Sequence, residues 1–173
     1  MEQRKKVGLV SKVYLVKKVN QQKVKKLFLE LGGNDPAVVL EDAVLDESAI
    51  ERMTRAILRA SGQVCVAIKR IYVHESRQEE LLEKLTAAFS QTVVGDPIRS
   101  GTTMGPLNNK PQFDFVSGLI EEARAAGSDV RTLGQKLDPH SWKAGYFMLP
   151  AIIAGVGTYA VLSDGSWRMI VPW

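Results

Sequence analysis

The chain has 173 residues, 45% hydrophobic and 24% charged, with a net charge of +4. These proportions fit one ordinary globular domain and exclude a disordered or fibrous chain; no apolar run reaches the roughly 18 residues a membrane-spanning helix needs, so no membrane partner is expected. One cysteine excludes an internal disulfide and suits a reducing, cytoplasmic setting.

The charge is unevenly placed. Residues 1–26 hold nine Lys or Arg against one acid, while the rest of the chain carries 14 basic and 18 acidic residues. Such a start admits a nucleic-acid arm or an organelle-targeting segment. Tyr14 is its sole aromatic, however, and Lys outnumbers Arg. A solvated basic face or a degraded leader is the plainer reading, and no nucleic-acid partner is expected.

Along the chain, Val24–Leu31 reads as a strand stopped by Gly32-Gly33, and Asn34-Asp35-Pro36 as a turn. The run Ala37–Leu40 is apolar throughout and suits a buried parallel strand. Asp46 opens a helix predicted to reach Ala60, with Ile50, Met53, Ile57 and Leu58 at helical spacing. The stretch from Cys65 to His74 is rich in Val, Ile and Tyr and predicts a strand.

Arg77 to Thr92 predicts a helix with Leu81, Leu82, Leu85 and Phe89 in one stripe. Val93–Asn109, with three glycines and two prolines, predicts a loop. A helix over Gln112–Ala126 is expected to end at Gly127. Short strands are expected at Val130–Leu133 and over Gly145–Ile153. Strands alternating with helices argue for an α/β fold with a parallel sheet. By contrast, the stretches 1–26 and 154–173 lack clean periodicity and are set apart as an atypical basic segment and an atypical tail, flanking a body at 27–153.

Two residues invite chemistry. Cys65 follows Gly62 and Gln63 where the predicted helix gives way to a strand, a place where loops present side chains. Lys69 and Arg70 are near in sequence, although an extended strand need not bring Lys69 to the sulfur. A lone cysteine is more often a small core residue. Glu30 lies between Leu29 and Leu31, just before a Gly-Gly pair. Partial burial there would raise its pKa towards that of a general base, while a strand-edge carboxylate facing water is the bland alternative. His74 and His140 show no metal-ligand spacing with Cys65, so no metal is expected. Neither a G-x-G-x-x-G fingerprint nor a G-x-S-x-G elbow occurs.

Taken together, "LELGGNDPAVVLEDA" and "SGQVCVAIKRIYVHES" resemble the glutamate and cysteine motifs of the aldehyde dehydrogenase superfamily, 35 residues apart. The run Gly95–Val116, with its Met-Gly-Pro-Leu, and "GYFMLPAII" resemble later segments of the same family, so the likeness runs from Leu27 to Ile153 in order. It implies the parallel-sheet catalytic domain of that fold, truncated at both ends. It further implies an aldehyde substrate, Cys65 as the nucleophile, and NAD or NADP as hydride acceptor. Glu30 would activate the water that hydrolyses the resulting thioester. The N–H of Cys65 would form part of an oxyanion hole, and backbone groups of Leu31 and Gly32 would lie near the nicotinamide.

The chain departs from the family pattern too. The long dinucleotide-binding stretch expected upstream, the upstream Asn of the oxyanion hole and the downstream acidic Phe-Gly-Pro segment are not found. Ala60 stands where the family very often has Asn. These departures favour a chain that is inactive by itself. A non-catalytic module that forms a homo- or hetero-oligomer with family members is the alternative, and a cofactor-free thiol esterase a third.

Overall fold

The computed structural model describes residues 32–156 and 166–172. The expected strand at Val24–Leu31 lies outside these residues, as do Glu30, Leu31 and the basic segment 1–26. Five strands form the main sheet in the order β1-β2-β7-β6-β4: β1 (Asp35–Val39), β2 (Ile68–His74), β4 (Asp129–Thr132), β6 (Ala151–Val156) and β7 (Trp167–Pro172). A two-stranded sheet pairs β3 (Val93–Val94) with β5 (Gln135–Lys136).

The α/β class expected from the alternation of strands and helices is present, but the main sheet is mixed rather than parallel throughout. β1 and β2 run parallel, with Pro36 opposite Arg70 and Val39 opposite Val73. β2–β7, β7–β6 and β6–β4 are all antiparallel. The reason is connectivity. A helix links β1 to β2 and carries the chain back to the same end of the sheet, as parallel pairing demands, whereas β7 follows β6 with no helix of the described residues between them.

Helix α1 (Glu47–Leu58) is started by Asp46, whose Oδ1 accepts from the Ala49 N–H at 2.7 Å. Helix α2 (Glu75–Ser90) begins two residues earlier than its stripe predicts, because His74 at the end of β2 accepts from the Ser76 N–H and serves as the cap. Helix α3 (Lys110–Ala125) is capped by Asn109, which accepts from the Gln112 N–H at 2.9 Å. It runs out at Gly127, whose φ of +81° is the left-handed turn anticipated there.

Two cores follow from the period-2 alternation of the strands. On one face, Ile71 and Val73 of β2, Ile152 and Ala154 of β6 and Ile170 of β7 meet Ile50 and Ile57 of α1 and Leu81, Leu85 and Phe89 of α2. On the other, Ala151 and Ile153 of β6 pack with Leu107 and with Val116 and Ile120 of α3. The stretch set apart as a tail thus supplies a central strand: Ile170 is fully buried between β2 and β6. Its apolar alternation is short, because β7 is only six residues long.

Two segments differ from expectation locally. The loop after α2 contains β3, with Val94 fully buried and bridged to Met104. The strand expected from Gly145 begins only at Ala151. Residues Ser141–Ala144 form a 3-10 turn, Phe147 stacks on Trp142 at 5.9 Å, and Pro150 has no N–H to offer a ladder.

Candidate active site

Parallel pairing brings the two sequence motifs together. Gly32–Asn34 enter β1 and Cys65–Ala67 enter β2 from the same end of the sheet, with Asp35 opposite Ile68. The approach is tight. A Cβ on Gly33 would collide with the carbonyl oxygen of Cys65 and stand 2.8 Å from its carbonyl carbon. Arg70 holds the same segment, donating to the Asn34 carbonyl at 2.6 Å.

Cys65 is therefore not on a strand. It sits exposed in the turn between α1 and β2, as a free thiol. That turn has an unusual backbone: Ala60 (φ +48°), Ser61 (φ +58°) and Gly62 (φ +70°) are all left-handed. For the two non-glycine residues this costs about 1–2 kcal/mol each, and it ends α1 at Leu58 rather than at Ala60.

Side chains of the turn bond it to the loop after β3. The Ser61 hydroxyl donates to the Gly105 carbonyl at 2.8 Å. Gln63 donates through Nε2 to the Ala60 carbonyl at 2.9 Å and the Pro106 carbonyl at 3.4 Å, and its Oε1 accepts from the Asn108 N–H at 2.8 Å. Lys69 donates to the Gly62 carbonyl, so its ammonium is engaged with the backbone rather than assigned to the sulfur. Burial lowers the Lys69 pKa from its ordinary value. Among the described residues the N–H of Cys65 donates to no protein acceptor, which leaves it available to an incoming oxygen.

Of the residues singled out from the sequence, Cys65 and Gly32 are described, and both are exposed at this end of the sheet. Gly33, Ser61, Gln63 and Asn108 were not singled out. The second glycine of the Gly-Gly pair was the one available signal, since a doubled glycine permits a close backbone approach as well as a bend. The bonds to Gly105–Asn108 cross 43 to 45 residues of chain and have no local signature.

Gly32 has open space where a Cβ would stand. That is compatible with a cofactor lying beside its backbone. No cluster of three or more His, Cys, Asp or Glu able to hold a metal occurs among the described residues, and none of their helices is long and apolar enough to cross a membrane. A cleft of 1130 Å³ lies between α1 and α2, lined by residues including Ile50, Thr54, Leu58 and Ala88. Ala60 of the cysteine turn borders it, but Cys65 does not line it.

A family model described as "Aldehyde dehydrogenase family" matches residues 7–163, beginning well upstream of Leu27, where the resemblance read from the motifs starts. A mitochondrial aldehyde dehydrogenase of Leishmania tarentolae is 41% identical over 77% of this chain and 26% of its own length. Among solved structures, succinate-semialdehyde dehydrogenase from Burkholderia pseudomallei superposes with a TM-score of 0.70 at 36% identity, over 86% of this chain and 30% of that one. Aldehyde dehydrogenase C from Pseudomonas syringae, a mutant solved with NAD+ and octanal, superposes with a TM-score of 0.68 at 26% identity, over 84% of this chain and 30% of that one. The chain thus spans about a quarter of the length of the curated relatives it matches.

Proposed function

The chain belongs to the aldehyde dehydrogenase family, and from that premise we propose that it carries the nucleophile of an aldehyde-oxidising reaction, with Cys65 as the attacking thiol. The observation that supports this most directly is the meeting of Gly33 with Cys65 at one end of the β1–β2 pair. It puts an exposed thiol, and a backbone N–H with no acceptor among the described residues, where the glutamate-motif segment enters the sheet.

The step assigned to this chain is addition. The Cys65 thiol gives up its proton to solvent, and sulfur forms a bond to the carbonyl carbon of an aldehyde. The carbonyl π pair moves to oxygen, which is held by the Cys65 N–H and takes a proton, leaving a thiohemiacetal. A bound NAD or NADP would supply the hydride acceptor of the complete oxidation. Of the expected cofactor contacts, Gly32 is among the described residues. The step proposed for Cys65 is formation of the adduct. Glu30 is proposed as general base for the later hydrolysis on the strength of its motif alone.

The test uses the purified chain and acetaldehyde labelled with carbon-13 at the carbonyl. Wild type is expected to convert the carbonyl resonance to that of a tetrahedral thiohemiacetal carbon, and Cys65→Ser is expected to lack that signal. A wild-type chain with a titratable free thiol and no adduct overturns the reading.

A second reading, association with a longer family member, is favoured by Val38, Leu40 and Val44. Val38 is exposed on β1, and Leu40 and Val44 in the segment that follows it; among the described residues β1 is an edge strand of the main sheet. Co-purification with an intact homologue supports it, and a strict monomer in the presence of that homologue counts against it.

A further inference from the structure

The turn that presents Cys65 is strained at Ala60 and Ser61 and exposed at Gln63 and Cys65, so apolar burial alone does not hold it in place. Its fixation falls to hydrogen bonds, and Gln63 makes three of them with one side chain. Nε2 spans the Ala60 and Pro106 carbonyls, and Oε1 takes the Asn108 N–H. The Ala60 bond closes the turn on itself, while the other two tie it to the loop after β3. Gln63 precedes Cys65 by two residues, so rotation of the backbone at Gln63 and Val64 would re-aim the Cys65 N–H.

We propose that Gln63 is a positioning residue: by joining the cysteine turn to the Pro106–Asn108 loop it aims the Cys65 N–H at the oxygen of an adding aldehyde. This rests on the reading of Cys65 as the nucleophile. Gln63 touches neither sulfur nor substrate; it acts through the orientation of the backbone that follows it. The amide is suited to this because it donates and accepts at once, which neither Glu nor Met can do at neutral pH.

The role separates two reactions of the same thiol. Addition to an aldehyde needs the N–H aimed at the developing oxyanion, whereas alkylation by iodoacetamide needs only an exposed, ionised sulfur. Because Cys65 is the only cysteine, both are read at one site. With labelled acetaldehyde, Gln63→Met is expected to lower the thiohemiacetal fraction roughly fivefold, the effect of losing about one net hydrogen bond. Its alkylation rate is expected to stay within about twofold of wild type.

Gln63→Glu keeps the acceptor for the Asn108 N–H and loses both donors, and is expected to fall between the two. It also carries the test if the Met variant does not fold. Wild-type adduct levels in the variants overturn the role of Gln63 and leave the nucleophile standing. Parallel loss of adduct and alkylation marks a merely structural residue and also overturns it. Absence of adduct in the wild-type chain removes the nucleophile reading and this proposal together.

Discussion

Gly33 and Cys65 are in backbone contact: a methyl group on Gly33 would overlap the Cys65 carbonyl oxygen. The obstacle is main chain, which cannot swing aside as the end of a long side chain can. Gly33→Ala must therefore separate the entrances to β1 and β2. The expected cost is about 1–3 kcal/mol, the range for overpacking a close contact, read as a lower urea midpoint. Gly32→Ala at the neighbouring position, where a Cβ meets nothing, is expected to stay within about 0.5–1 kcal/mol of wild type. Equal effects at the two positions would show that the contact is not what requires glycine.

Ala60 holds φ at +48° in the turn before the cysteine. Glycine adopts that conformation without steric penalty, although it loses more entropy on folding. The two effects leave Ala60→Gly more stable by about 0.5–1 kcal/mol. A thermal melt decides the sign: a loss of stability, as for an ordinary Ala to Gly change, would contradict a left-handed Ala60.

Arg77 of α2 reaches back to the segment between β1 and α1. Its Nη1 donates to the Glu41 and Ala43 carbonyls at 2.6 and 2.8 Å, while Nε and Nη2 engage Glu80. The side chain is only 19% exposed, so removing it leaves those carbonyls with fewer partners. Arg77→Ala is expected to cost about 1–3 kcal/mol. Arg77→Lys should recover little, because one ammonium cannot serve three directions. Full recovery in denaturant unfolding would rule out the forked geometry.

Lys69 gives a pH dependence with a definite sign. Burial lowers its pKa in the folded chain, so between that value and 10.5 the unfolded chain binds more protons. Lys69 therefore makes stability rise with pH across that window, and its charged form disfavours folding below it. Lys69→Gln is expected to flatten this part of the stability-versus-pH curve. An unchanged slope above neutral pH would remove Lys69 as its source.

Ile170 tests whether the stretch after Ile153 belongs to the fold. It is fully buried in β7, opposite Ile71 of β2. Ile170→Ala is expected to cost about 2–5 kcal/mol, as for other large-to-small changes in a core. A cost below about 1 kcal/mol would mean that the central strand contributes little to the sheet.

What the amino-acid sequence determined by itself was everything carried by local period and by short motifs. The stripe Leu81, Leu82, Leu85 and Phe89 marks the buried face of α2, Asp46 and Gly127 mark helix ends, and the family is legible in the two motifs around Glu30 and Cys65. Helical periodicity and capping depend on neighbours within one or two turns, so they can be read along the chain. Only the tertiary structure decided the direction of the strands beyond β2 and the central place of β7, because pairing joins residues far apart and six apolar-rich residues fit an edge as well as a centre. It alone showed that Gly33 meets Cys65 and that Gln63 spans to Asn108. Those contacts close loops of more than about thirty residues, and no local preference of the chain encodes which distant carbonyl or N–H a side chain will find.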